Sequence, residues 1–143
     1  MIRYWLSCLG AFLFIAACTT PSDPIDLPIP TDEDPAITIL SPEYARFLLR
    51  DGESAVITFK LVDPEGLALL RLVPTVFDES DNIVAQEDPI DVPVSGTETT
   101  VDYTINTPNY PAFYKVRYTC YVLDSKSAFA ETFFWVSILP DPG

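Results

Sequence analysis

Histidine is absent from the 143 residues, and basic side chains are few, with 8 Lys and Arg against 21 Asp and Glu. Without histidine there is no Ser-His-Asp relay, no imidazole to activate a cysteine, and none of the commonest zinc ligand. The shortage of Lys and Arg leaves a formal charge of −13 and argues against nucleic acid as a partner, because affinity there rests on cations at phosphates. Cysteine is scarce as well. After Cys18 only Cys120 remains, so the body of the chain forms no internal disulfide and is held by its core. Cys120 sits between Thr119 and Tyr121 in a strand-like run and reads as a buried thiol acting as a small apolar residue. Long hydrophobic runs are missing too. The stretch Tyr4 to Ala17, apolar apart from Ser7, is 14 residues, short of the roughly 20 that a membrane-spanning helix needs.

That short run organises the amino terminus. Arg3 supplies a positive start, the apolar run follows, and two small residues precede a cysteine, which is the layout of a secretory leader. The quartet Ile15-Ala16-Ala17-Cys18 resembles the lipobox of bacterial lipoproteins. The resemblance implies cleavage before Cys18, thioether attachment of a diacylglycerol to its sulfur, and acylation of the new amino terminus with a chain such as palmitate. Two or more acyl chains anchor stably where one binds only marginally. Thr19, where an Asp would in some bacteria retain the protein at the inner membrane, implies the outer membrane, on its periplasmic face or at the cell surface.

From Thr19 to Pro35 the chain carries Pro21, Pro24, Pro28, Pro30 and Pro35, the acids Asp23, Asp26, Asp32, Glu33 and Asp34, and no basic residue. Proline extends such a segment and like charges keep it from collapsing, so it reads as a semi-rigid tether. After Pro35 the pattern changes to short apolar runs cut by turn residues, the spacing of a β-sandwich. Ala36 to Leu40 is the first run. Ser41 to Gly52 admits a short helix capped by Ser41 and Pro42, or a brief strand at Phe47-Leu48-Leu49; the flanking strands favour the second. Ala55, Ile57, Phe59 and Leu61 alternate with polar neighbours, which marks a strand with one wet face. After the turn Asp63-Pro64-Glu65-Gly66 comes Leu67 to Val73, where Pro74 requires an edge or a bulge. Ile83-Val84-Ala85 reads as a short edge strand, and an Asp- and Pro-rich loop leads on to Thr97 to Ile105. Phe113 to Leu123 and Phe129 to Leu139 are the strongest strands.

This region, roughly Ala36 to Leu139, resembles the Ig-like and fibronectin- or cadherin-like modules of bacterial surface lipoproteins. The resemblance is carried by Ile39-Leu40-Ser41-Pro42, by Ile57-Thr58-Phe59-Lys60-Leu61-Val62-Asp63 with Gly66-Leu67, and by Tyr118-Thr119-Cys120. It implies an all-β, Ig-like sandwich of seven or eight antiparallel strands with Greek-key connections. No cysteine pairs with Cys120 and no tryptophan lies in the third strand, so an antibody-type domain is excluded. Tyr118 either pins a corner, as a tyrosine does in such folds, or belongs to the core. The expected organisation is a leader at 1–17, a lipidated Cys18 with tether at 18–35, the sandwich at 36–139 and a tail at 140–143.

Three sets of residues could carry function. Asp63, Glu65 and Asp124 fall in turns at one end of such a sandwich and could hold calcium if carbonyls and water completed six to eight oxygen ligands. Asp and Asn also favour turns by bonding their own backbone, and that is the favoured reading. Asp78, Glu79, Asp81 and Asn82 lie at the other end. In the last two strands, Lys115, Arg117 and Tyr121 share one face, as do Phe133 and Trp135. If that face is outward, it suits sugar rings or a protein partner. No catalytic residue and no resident cofactor stand out. The chain therefore reads as a lipid-anchored, non-enzymatic binding or accessory module of unknown protein or glycan ligand. The alternatives are an assembly subunit pairing through the edge at Ile83 to Ala85, or a small hydrolase using two carboxylates.

Overall fold

The computed structural model describes residues 33–143; the leader, Cys18 and nearly all of the tether lie outside the described residues. Nine strands follow one another: β1 (Ala36–Ser41), β2 (Arg46–Leu49), β3 (Ser54–Val62), β4 (Leu67–Phe77), β5 (Ile83–Gln86), β6 (Ile90–Pro93), β7 (Glu98–Asn106), β8 (Lys115–Asp124) and β9 (Phe129–Ile138). The described residues form no α-helix. They make two sheets, β1-β3-β7 and β2-β9-β8-β4-β5, with β6 also paired to β4. The chain crosses between sheets after β1, β2, β3, β6 and β7, so β8 returns beside β4 and not beside β7, which gives the Greek-key arrangement. This is an all-β sandwich.

Two details differ from the expected seven or eight antiparallel strands. The count is nine, because β6 forms where a loop was expected, pairing Ile90 with Leu72 and Val92 with Leu70. One pair is parallel: β2 runs alongside β9, Arg46 opposite Trp135 and Leu49 opposite Ile138. The first strand thus begins in the small sheet and, after the turn closed by Ala45 N–H to the Pro42 carbonyl at 3.1 Å, continues in the large one. Pro74 is neither at an edge nor in a bulge. It pairs with Tyr118 on the β8 side, while its carbonyl accepts Glu87 N–H at 3.1 Å on the other side. That side is where β5 gives way to β6, so the missing N–H falls at a break in the neighbouring ladder.

Period-two alternation selects the core. Ile57, Phe59 and Leu61 of β3, Leu70, Leu72 and Val76 of β4, Val116, Cys120 and Val122 of β8, and Phe134 and Val136 of β9 are buried between the sheets. Phe134 is the centre of an aromatic cluster. Its ring stacks on Tyr118 at 4.8 Å, meets Phe47 edge-on at 6.0 Å and tilts against Phe59 at 6.3 Å. Tyr118 is therefore a core residue, and its hydroxyl pKa is raised, mainly by burial.

Candidate functional site

Because β9, β8 and β4 turn alternate residues inward, the intervening ones form a single outer face on the large sheet. The ladders align them in rows. Trp135 of β9 lies opposite Arg46 of β2 on one side and Arg117 of β8 on the other. The next row along the strands holds Phe133 and Thr119, and the one after it Glu131, Tyr121 and Arg71. Lys115 lies opposite Ser137 on one side and Phe77 on the other. All five residues singled out in the sequence, Lys115, Arg117, Tyr121, Phe133 and Trp135, thus share this face.

The charges on it are not equivalent. Lys115 pairs with Asp81, and Arg71 grips Asp91 with two hydrogen bonds of 2.6 and 2.8 Å. That contact raises the Arg71 pKa and lowers that of Asp91, in each case chiefly through the side-chain hydrogen bond. Arg50, Lys60 and Lys126 also reach carboxylates. Arg46 and Arg117 form no ion pair among the described residues. The Arg117 guanidinium carbon instead lies 5.6 Å from the Phe77 ring centre and 6.0 Å from that of Trp135, and these two rings are 5.3 Å apart. Its Nε is buried without an acceptor. Stacking on two rings holds the guanidinium in place and leaves its hydrogen-bonding edge uncommitted.

Two shallow hollows open beside this row and share Tyr121. One, of about 360 Å³, is lined by Arg117, Thr119, Tyr121, Glu131 and Phe133; the other, of about 240 Å³, by Arg71, Tyr121, Leu123 and Phe129. Phe129 meets Tyr121 edge-on at 5.9 Å. Phe129 and Phe133 are 58% and 55% exposed, unusual for phenylalanine and enough to offer ring faces to a ligand. Arg46, Arg71, Phe77 and Phe129 were not among the sequence candidates. Local alternation marks their faces, but only the strand register brings them beside Arg117 and Tyr121.

The carboxylates considered for calcium behave differently. The β3–β4 and β8–β9 turns do meet at one end, where Ser125 N–H donates to the Gly66 carbonyl at 3.2 Å. Asp63 Oδ1, however, accepts Glu65 N–H at 2.8 Å, and Asp124 Oδ1 accepts Lys126 N–H at 2.9 Å and Ala128 N–H at 2.7 Å. The Lys126 ammonium is 2.6 Å from Glu65 Oε1 and brings a positive charge to this end. Asp63 Oδ2 and Asp124 Oδ2 are buried without a hydrogen-bond partner. Among the described residues no three acidic, cysteine or histidine side chains come together in a group that could hold a metal ion. Asp78 at the opposite end serves its own turn in the same way, accepting Ser80 and Asn82 N–H at 2.9 Å each. Its pKa is lowered, chiefly by the Asn82 side chain.

Cys120 is fully buried, its thiol directed at the Tyr118 carbonyl at 3.7 Å, and burial pushes its pKa up to about 12. It is a core residue. A third hollow, of about 240 Å³, lies between Thr107–Ala112 and Ile138–Asp141; Asp51 and Asp141 stand at its rim, and no cation or thiol lines it.

No protein-family model matches the chain, and no curated protein does. Among solved structures, the chain is similar to Spo0M, the sporulation control protein of Bacillus subtilis, at 12% identity and a TM-score of 0.53. The likeness shows the fold alone. It covers 77% of this chain and 51% of that one, so the chain spans about half the length of Spo0M. A glycosyl hydrolase family 2 member from Bacteroides cellulosilyticus DSM 14838 matches at 13% identity and a TM-score of 0.33, over 73% of this chain and 14% of the other. That overlap is too slight to bear on function.

Proposed function

We propose that the chain is a lipid-anchored, non-enzymatic binding module of the bacterial cell envelope, with the outer face of the β2-β9-β8-β4-β5 sheet as its ligand surface. The anchoring half of this reading rests on the lipobox-like Ile15-Ala16-Ala17-Cys18 and on the acid- and proline-rich segment behind it. The binding half is carried by one observation: the exposed rings of Phe129 and Phe133 lie on the same face as Arg117, a guanidinium held by two aromatic rings without a carboxylate partner. Exposed apolar surface set among hydrogen-bond donors is the composition of a recognition patch. The competing assembly reading draws on β5, whose Ile83 and Val84 are 65% and 48% exposed at the open edge of the sheet.

Membrane fractionation of the wild type and Cys18→Ala, with protease applied to intact cells, tests the first half. The wild type is expected in the membrane and the variant released; a soluble wild type refutes the anchor. For the second half, Trp135 is a built-in reporter, since the only other tryptophan is Trp5 in the leader. In a chain carrying Trp5→Phe, an envelope extract is expected to shift or quench Trp135 emission, and Phe133→Ala to weaken the response. An emission spectrum indifferent to the extract refutes the ligand face.

A further inference from the structure

We infer that the row Arg46, Trp135, Arg117, with Phe133 and Tyr121 beside it, is a subsite for a carboxylate-bearing sugar of an acidic polysaccharide; this deepens the binding reading above and rests on it. In a chain with 21 acids and 8 bases, five of the seven described cations have a carboxylate partner. The two described cations that have none stand on either side of the same tryptophan, one on β2 and one on β8. Neighbouring strands are about 4.8 Å apart, so the two backbone positions lie roughly 10 Å from each other across Trp135. A guanidinium is the group whose planar fork matches a carboxylate, and the Arg117 fork is already oriented by Phe77 and Trp135.

The surroundings select the kind of ligand. Outward positions along β9 recur about every 6.7 Å, which lays Trp135, Phe133, Glu131 and Phe129 along a path on which successive sugar rings could lie. The hollows are open and shallow, suited to an extended chain resting on the face and not to a small molecule enclosed in a pocket. One common mode for an extended peptide is to add to a free sheet edge through main-chain hydrogen bonds. β8 and β9, which carry Arg117, Tyr121 and the β9 path, are interior strands paired on both sides and offer no such edge; of the set only Arg46 lies on the edge strand β2. Glu131, about 13 Å from Trp135 along the strand, lines the same hollow as Arg117 and can accept sugar hydroxyls. The arginines therefore take a carboxylate at one end of the path, and ring faces and hydroxyl groups are met further along it.

The test titrates polygalacturonate and alginate into the full-length Trp5→Phe chain in detergent micelles, following Trp135 emission. The methyl ester of polygalacturonate, which keeps the rings and removes the charge, and poly-glutamate serve as controls. The acidic polysaccharides are expected to bind through the local pair of arginines in spite of the net charge of −13, and the ester at least tenfold more weakly. Arg46→Gln and Arg117→Gln are each expected to lower affinity about tenfold or more, the scale of one lost charged hydrogen bond. Arg46 is exposed and without an ion pair, so its replacement tests the site even if Arg117→Gln perturbs the sheet. Equal binding of acid and ester, indifference to Arg46→Gln, or preference for poly-glutamate overturns the inference. If the envelope extract moves Trp135 emission and neither acidic polysaccharide does, the sugar assignment falls and the binding module stands. If the extract is silent as well, both fall.

Discussion

Replacing Asp124 tests the account of the acidic end most directly. Its Oδ1 accepts two backbone N–H groups, from Lys126 and Ala128, and its own N–H donates to the Ala128 carbonyl at 3.1 Å, closing the turn between the two strongest strands. A hydrogen bond to a charged group is worth about 1.5 to 3 kcal/mol. Asp124→Ala removes two, with part of the loss recovered by water reaching the part-buried N–H groups of Lys126 and Ala128, so the expected loss is about 2 to 4 kcal/mol. For a domain near 100 residues that lowers Tm by roughly 10 to 30 °C. Asp124→Asn keeps an acceptor at Oδ1 and places an amide nitrogen where Oδ2 is buried without a partner, and is expected to lose less than half as much. Urea unfolding followed by Trp135 fluorescence measures both variants, and millimolar calcium is expected to leave the wild-type midpoint unchanged. A resident site at 100 times its Kd would add about 2.7 kcal/mol. A loss below about 1 kcal/mol for Asp124→Ala would refute the turn-acceptor argument; a calcium-dependent rise that Asp124→Ala abolishes would restore the metal reading.

Phe134→Ala, which empties the centre of the four-ring cluster, is expected to cost about 3 to 5 kcal/mol in urea unfolding, and a loss under about 2 would show that the cluster is not the core of the fold. Peptide mapping after treatment with a thiol reagent at pH 8 should find Cys120 unlabelled in the folded chain and labelled in denaturant; rapid labelling without denaturant contradicts its burial. The raised Cys120 pKa also fixes the sign of an alkaline effect. Below about 9, its ordinary value, the thiol is neutral in both states and folding is unaffected; from there up to about 12 only the unfolded chain ionises, so stability falls as pH rises. The expected slope is about 1.4 kcal/mol per pH unit from this group, and Cys120→Ala should remove it. Val84→Lys on the open β5 edge is expected to leave self-association unchanged; if sedimentation shows an oligomer that this variant dissolves, the assembly reading displaces the binding one.

Much of the sandwich was legible because alternation is a local property. Ile57, Phe59 and Leu61 announce β3, and the alternation of Tyr118, Cys120 and Val122 against Arg117, Thr119 and Tyr121 divides β8 into its two faces without knowledge of any partner. Where local pattern and pairing part company, the reading was incomplete. Ile90–Pro93 is short, flanked by Asp and Pro, and becomes a strand only because β4 is long enough to pair with β5 at one end and β6 at the other. Pro74 pointed to an edge or a bulge on the same local logic, and a break between two neighbouring strands accommodates it instead.

The site divides the same way. Lys115, Arg117, Tyr121, Phe133 and Trp135 could be assigned to faces from sequence, because each strand's faces follow from a period of two. That Arg46 stands on the far side of Trp135 depends on the parallel pairing of β2 with β9, between residues far apart in the chain. That Arg117 lies against Phe77 depends on the β4–β8 register. Register and sheet order arise from the packing of the whole core, and no local pattern encodes them. The calcium set shows the converse: the sequence brought Asp63, Glu65 and Asp124 to one end correctly, while the tertiary structure decided that backbone N–H groups and Lys126 engage their carboxylates. Sequence by itself determined an acidic, all-β chain and sorted its aromatic and basic residues onto strand faces. Only the tertiary structure decided which cations on the outer face remain without an acid, because charge pairing across strands is settled by which residues the folded sheet places side by side.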